Sequence, residues 1–331
     1  MSKQHPILQA NDLELGYLKG NVLFPVARNL AFDLYPGQLT CLMGPNGVGK
    51  STLLKAILGS NPPIRGKLTL NKKNIADYAA EHLAKQIAVV LTDKVQTGNM
   101  TVYDLVCLGR IPHTGWWGKL AEEDLQAVEK ALVSTKTKEI ENRKLNELSD
   151  GQLQKTMIAR ALAQDGEVLV LDEPTAHLDL VNRFEIMTLL RELAHENSKA
   201  ILVVTHDLEI AVETADRLWL MTKEHSLVTG SPEGLMIEGK VNLLVSDNKW
   251  HVNPLTGKME LNIPLTYPEI TGPAHIIPWI KLAIRKSHPL NDMDSASIIV
   301  YRDPFSLKLT YKNQDYHFSS IEKLMHFLKY N

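Results

Sequence analysis

The chain has 331 residues, 44% of them apolar and 22% charged, with a formal net charge of -2. That length suits two domains, and the charge balance gives no general reason to expect nucleic acid as a partner. Its two cysteines, Cys41 and Cys107, both lie in apolar runs, so they read as buried thiols and a disulfide framework is excluded.

Residues 1–11 contain no continuous apolar stretch, so no secretory signal is expected. No run reaches the roughly 18 apolar residues that a membrane span needs, and a soluble cytoplasmic protein follows as the expectation. Residues 7–35 hold short apolar stretches separated by Gly16, Gly20 and Asn29, which read as β-structure. Residues 39–43 predict a strand and residues 52–58 a helix. Between them stands Gly44-Pro45-Asn46-Gly47-Val48-Gly49-Lys50-Ser51-Thr52. Strand, glycine loop, Lys-Ser and helix, in that order, make a phosphate-binding P-loop. Its glycines let backbone N–H groups turn inward around phosphate oxygens, and the helix start adds partial positive charge. Lys50 is expected to reach the β- and γ-phosphates and Ser51 to ligate Mg²⁺.

Residues 76–133 carry helical periodicity, broken by Gly98-Asn99 and again over 109–118. Leu148-Ser149-Asp150-Gly151-Gln152 opens a helix-like run that continues to Ala163. The continuous apolar run 168–171 fits a buried strand of a parallel sheet, and it leads into Asp172-Glu173-Pro174. An acid at the carboxyl end of such a strand is the Walker-B arrangement, so Asp172 is expected to hold Mg²⁺. Glu173, one residue on, is placed to polarise water for attack on a γ-phosphate. Residues 184–194 predict a helix with Ile186, Leu189, Leu190 and Leu193 on one face, and residues 200–205 another buried strand, followed by His206. Strands alternating with helices around a P-loop indicate an α/β core with a mostly parallel sheet.

After residue 264 the texture changes. Residues 275–286 predict an amphipathic helix, 297–301 and 306–311 strands, and Ser319-x-x-Glu322 a capping box before Ile321, Leu324, Met325 and Leu328. This is expected to be a small α+β module spanning 265–331. His275, His288, His317 and His326 are scattered through it without metal-ligand spacing. Packing or dimer contact and ligand sensing both remain open as its role.

Leu148-Ser149-Asp150-Gly151-Gln152, between the P-loop and Walker B, resembles the LSGGQ signature of ATP-binding-cassette (ABC) ATPases. Other parts follow in that family's order. His206 matches the switch histidine that contacts the γ-phosphate. Leu178-Asp179 matches the D-loop, and Tyr17 matches the aromatic residue that stacks on adenine. The resemblance covers roughly residues 5–264 and implies a P-loop ABC ATPase domain. That fold has a mostly parallel sheet, an antiparallel β part and a helical subdomain over about 95–165. It further implies two copies meeting head to tail, so that Ser149, Gly151, Gln152 and Asp179 of one complete the ATP site on the P-loop of the other.

Two positions depart from the family pattern. Thr92 follows Ile87-Ala88-Val89-Val90-Leu91 where the family has a Gln that reaches Mg²⁺; Asp93 and Gln96 are the alternative ligands nearby. Asp150 replaces the first signature glycine.

Thr101-Val102-x-x-Leu105-Val106, Gly109-Arg110-Ile111-Pro112 and Trp116-Trp117 resemble importer ATPases for iron–siderophore, haem and cobalamin. In that family this region receives a coupling helix of the permease. Trp116 and Trp117 suit either such a partner groove or the core of the helical subdomain. The resemblance implies an ATP-hydrolysing subunit at the cytoplasmic face of the inner membrane. Its partners would be membrane permease subunits and, indirectly, a substrate-binding protein, but no nucleic acid. An iron chelate is the expected cargo; a cobalamin importer or a non-transport soluble ABC ATPase are the alternatives.

Overall fold

The computed structural model describes residues 5–20, 22–91, 99–115, 118–222, 224, 226–245, 247, 249–254, 256–262, 267–287 and 296–330. The chain divides into two compact units, Met1–Leu261 and Asn262–Asn331.

The first unit begins with strands β1 (Leu8–Lys19), β2 (Val22–Leu34) and β3 (Gln38–Met43), then helix α1 (Lys50–Ile57). Strands β4 (Arg65–Leu70) and β5 (Lys73–Asn74), helix α2 (Ala80–Gln86) and strand β6 (Ile87–Val90) follow. A helical stretch holds α3 (Val102–Cys107), α4 (Glu122–Ser134) and α5 (Asp150–Ala163). The chain then returns to the sheet through β7 (Val168–Asp172), α6 (Leu180–Asn197), β8 (Ala200–Val204), α7 (Leu208–Thr214) and β9 (Arg217–Met221). Strand β10 (Leu227–Gly230), helix α8 (Pro232–Ile237) and the short pair β11 (Trp250–Val252) and β12 (Met259–Leu261) complete it.

Among the described residues the central sheet runs β10-β9-β3-β8-β7-β6. Only its β10–β9 pair is antiparallel; the β9–β3, β3–β8, β8–β7 and β7–β6 pairs are parallel. Parallel strands covered on both faces must be apolar on both faces, which explains the continuous runs in the sequence. Leu39, Cys41 and Met43 pack with Leu171, Ile201 and Val203 toward the helices that include α5 and α6. Leu42 packs with Val170, Leu202, Val204 and Trp219 toward α1 and the second sheet, β2-β1-β4-β5, which is antiparallel. Phe32 of that sheet lies against Trp219, ring centroids 4.4 Å apart. Each such large apolar side chain contributes about 1.5–3 kcal/mol by leaving water. Cys41 is buried and Cys107 is only partly so.

Side-chain caps set several helix starts. Thr101 and Asp104 form a capping box on α3, and Ser149 and Gln152 form one on α5. Asp179 caps α6 and Asp207 caps α7. A cap of this kind is worth about 1 kcal/mol. The helical stretch is fastened by one buried ion pair: Arg110 Nε donates to Asp124 Oδ1 at 2.8 Å, and its Nη1 donates to the Ala163 carbonyl at 2.8 Å. Arg110 of the Gly-Arg-x-Pro stretch therefore faces inward, while Ile111 beside it is exposed.

In the second unit, β13 (Glu269–Thr271) precedes helix α9 (Ile277–Ser287). Strands β14 (Ser297–Tyr301), β15 (Ser306–Tyr311) and β16 (Gln314–Phe318) then lead to helix α10 (Ile321–Tyr330). The sheet runs β13-β14-β15-β16, its first pair parallel and the others antiparallel. Alternation buries Leu307, Leu309 and Tyr311, which pack with Ile280, Ile284, Leu324 and Leu328. The predicted capping box is not seen; Ser320 caps α10 alone, because the residue three further on, Lys323, has no side-chain acceptor to complete a box. The Ser320 hydroxyl accepts from the Lys323 N–H at 3.4 Å, and Ser319 instead accepts from Lys323 Nζ at 3.0 Å.

Candidate nucleotide and catalytic site

Strand β3 ends at Met43 and delivers Gly44 to Gly49 as a loop before α1. Gly49 caps the helix at φ 114°, a left-handed conformation that favours glycine. A Cβ there would stand 2.8 Å from Val26 Cγ1, so the position also needs the missing side chain. Lys50 bends back over the loop: its Nζ donates to the Gly44 carbonyl at 2.7 Å and to the Pro45 carbonyl at 3.0 Å. These bonds hold the ammonium across the mouth of the loop. Burial pushes the Lys50 pKa down, and the charges of Glu173 and Asp172 pull it back up. Val48 points into the core, so only its backbone can serve a ligand.

Strands β7 and β8 bring the remaining groups to the same place. Asp172 ends β7 and pairs in register with Val204. Glu173 turns left-handed at φ 49°, and its N–H donates to the Val204 carbonyl at 2.9 Å. The kink carries its carboxylate beside the residues that follow β8, where His206 Nε2 meets Glu173 Oε1 at 2.7 Å. A non-glycine residue held left-handed at a strand end is a strained conformation, frequent at active sites. These are the carboxyl ends of parallel strands, where α/β sheets place ligands.

One cleft of about 460 Å³ gathers Tyr17, Val26, Asn46, Gly47, Gly49, Lys50, Ser51, Thr52, Asp172, Glu173, Val204 and His206. The sequence-predicted nucleotide residues thus converge, from the exposed ring of Tyr17 to the carboxylates. Val26 and Val204 were not foreseen. Val26 is the extra residue where β2 slips register against β1, between the pairs Gly16–Pro25 and Leu15–Ala27.

The cleft does not include Ser149, Gly151, Gln152 or Asp179. Ser149 and Asp179 are instead exposed at the starts of α5 and α6. The Ser149 oxygen accepts the Gln152 N–H at 3.3 Å, which leaves the hydroxyl proton free to donate outward. Asp150 occupies the first turn of α5, where a negative charge is stabilised by the helix dipole. Thr92, Asp93, Gln96, Trp116, Trp117 and His288 lie outside the described residues.

Behind the D-loop, Arg183 Nε donates to the Leu178 carbonyl at 2.8 Å, and its Nη1 lies 3.4 Å from Asp207 Oδ2. The segment after Walker B is thereby tied to the segment that carries His206.

Comparison with known proteins agrees with this geometry. A family model described as "ABC transporter" matches residues 27–176. An uncharacterized ABC transporter ATP-binding protein of Methanocaldococcus jannaschii is 39% identical over 80% of this chain and 90% of its own. The ferric enterobactin transport ATP-binding protein FepC of Escherichia coli is 34% identical over 69% of this chain and 83% of its own. Among solved structures, the dimeric form of a bacterial ABC transporter cassette, MJ0796, matches with a TM-score of 0.56. It is 26% identical and the match covers 68% of this chain and 98% of that one. No helix among the described residues is long and apolar enough to cross a membrane. With most of the length of both curated relatives covered at these identities, the chain belongs to the ABC transporter family of ATP-binding proteins.

Proposed function

We propose that this chain is the ATP-hydrolysing subunit of an importer for an iron chelate, working as a head-to-tail pair of copies on a membrane permease. The observation that carries the ATPase reading is the single cleft holding Lys50, Ser51, Asp172, Glu173 and His206. The proposed nucleotide-binding domain spans residues 5–264, and the compact unit ending at Leu261 supports that span.

In this reading, Tyr17 stacks on adenine, and the backbone from Gly44 to Thr52 wraps the phosphates with Lys50 bridging the β- and γ-groups. Ser51 and Asp172 offer a hydroxyl and a carboxylate oxygen on one cleft, an oxygen-only donor set that fits Mg²⁺ shared with phosphates. When bound, the ion neutralises charge on the phosphate oxygens. Glu173 takes the proton of the attacking water, and His206 donates Nε2–H to the γ-phosphate. The His206 contact requires the His206–Glu173 bond to open, because Nε2 is the atom that meets Glu173 Oε1.

Ser149, Gly151, Gln152 and Asp179 stand away from this cleft with Ser149 and Asp179 exposed, which supports their use by a second copy. The dimeric cassette with the same fold supports the same assembly. Importer function and the iron cargo rest on the similarity to FepC, a ferric enterobactin transport protein, and on the inward clamp of Arg110 that leaves Ile111 exposed for a permease.

Uptake of a radiolabelled ferric siderophore by a strain lacking this chain tests the proposal. Uptake should be lost, and restored by the unmodified chain but not by Glu173→Gln. Undiminished uptake would remove the iron-chelate assignment.

A further inference from the structure

The starts of α5 and α6, which carry the signature and the D-loop residue, lie side by side, and one side chain joins them. Asn182 stands in the first turn of α6. Its backbone N–H donates to Asp179 Oδ1 at 2.8 Å, and its side-chain Nδ2 donates to Asp179 Oδ2 at 2.8 Å. Both carboxylate oxygens of Asp179 are therefore held by one residue. The donor role of Nδ2 fixes the other end of the amide: Oδ1 turns toward α5.

There it meets Gly151. A Cβ on Gly151 would fall 2.6 Å from Asn182 Oδ1 and 3.0 Å from its Cγ. Contacts below about 3 Å are far inside the usual separation of carbon and oxygen, even for a weak C–H···O contact. The amide thus packs against the signature at Gly151, and a side chain there would have to displace it. One turn further along both helices, Lys155 Nζ and Glu185 Oε2 pair at 2.8 Å, which keeps α5 and α6 aligned.

We propose that Asn182 is a positioning residue that locks the D-loop carboxylate Asp179 to the signature at Gly151. The two elements that one copy presents to the other are thereby held in one register. This rests on the head-to-tail reading above. It assigns Gly151 a second reason for lacking a side chain, distinct from close approach to phosphate. Asp179 is held below the usual carboxylate range chiefly by the hydrogen bond from the Asn182 N–H. It is therefore charged, and so a directional contact, at any pH where the protein works.

The test is a double-mutant cycle on the full chain, reading kcat, KM and ATP-driven dimerisation. Asn182→Ala keeps the backbone cap and removes the amide tie, so kcat should fall several-fold with KM nearly unchanged. Gly151→Ala should drive the amide away from the signature and cost more, about tenfold or greater in kcat for residues in direct contact. Adding Asn182→Ala to Gly151→Ala should raise kcat above that of Gly151→Ala alone, because the clash is gone while any cost of the methyl at the phosphate stays. Thermal unfolding and ATP binding to the single copy should match the unmodified chain throughout. Normal kcat in Asn182→Ala, or a Gly151→Ala defect that Asn182→Ala does not relieve, overturns the inference. Either result leaves the shared-site reading standing if signature and Walker-B variants still complement one another. If that complementation also fails, the shared-site reading itself is wrong.

Discussion

His206 Nε2 lies 2.7 Å from Glu173 Oε1, so the proposed general base and the proposed γ-phosphate contact are paired with each other. Neither side chain is deeply buried, and both line the cleft that holds Lys50 and Ser51. In the proposed mechanism, a phosphate entering that cleft would compete with Glu173 for His206 Nε2.

Removing the base tests this directly. Glu173→Gln should lower ATP turnover on the order of 100- to 10,000-fold, the usual contribution of a positioned general base. ATP binding should be retained, because the phosphate ligands are on other elements. Steady-state hydrolysis and equilibrium binding of a fluorescent ATP analogue measure the two. Normal turnover would remove Glu173 as the base.

Lys50 gives a pH signature. Burial pushes its pKa below the ordinary lysine value of 10.5. An ammonium with a lowered pKa loses its proton as pH rises through that lowered value. Affinity for the triphosphate should therefore weaken at a pH below 10.5. The nucleotide-free protein changes in the opposite sense. The unfolded chain holds the Lys50 proton longer, so this group's contribution to stability rises with pH across the same window. Titration of ATP-analogue binding from neutral to alkaline pH checks it. Affinity that stays flat up to the ordinary lysine value would contradict it.

The Arg110–Asp124 pair should be a stability element rather than part of the site. Both residues are buried, and Asp124 also accepts the Ala121 N–H at 2.9 Å. Asp124→Ala leaves the guanidinium buried without its partner, at a cost of about 3–5 kcal/mol. The Ala121 backbone bond and Arg110 hold the Asp124 carboxyl below its ordinary 3.8. Its contribution is therefore full above that value and is lost as pH falls through the depressed one. Urea denaturation near neutrality and in acid measures both effects, and a large loss of stability in the variant at neutrality is the expected result.

Tyr17 exposes its ring over the open end of the cleft. Tyr17→Ala should weaken ATP binding by about 1–3 kcal/mol, the range for a base stacked on an aromatic ring. Tyr17→Trp should retain it. Equal affinity in all three forms would detach adenine from this position.

The P-loop and the Walker-B strand were legible because buried parallel strands must be apolar runs and phosphate loops must be glycine-rich. The bond between His206 and Glu173 was not, because it depends on the left-handed turn at Glu173 and the pairing of β7 with β8. Helix α6 begins at Leu180, four residues before the periodic pattern, since Leu180 and Val181 are apolar yet exposed and so blur the buried face. Asn182 left no signal in the sequence; only the glycine opposite hints that something must fit there. The capping residue of α10 is Ser320 rather than Ser319 because the two serines are adjacent and either can cap, and the box with Glu322 is not made.

In the proposed assembly a complete hydrolytic site is built from two copies. Mixing the Glu173→Gln chain with a chain carrying Ser149→Ala and Gly151→Asp tests it most directly. Each variant alone should be inactive. A mixed pair would join an intact P-loop and Glu173 from one copy to an intact signature from the other, so hydrolysis should reappear on mixing. A mixture as inactive as its components would contradict the shared site.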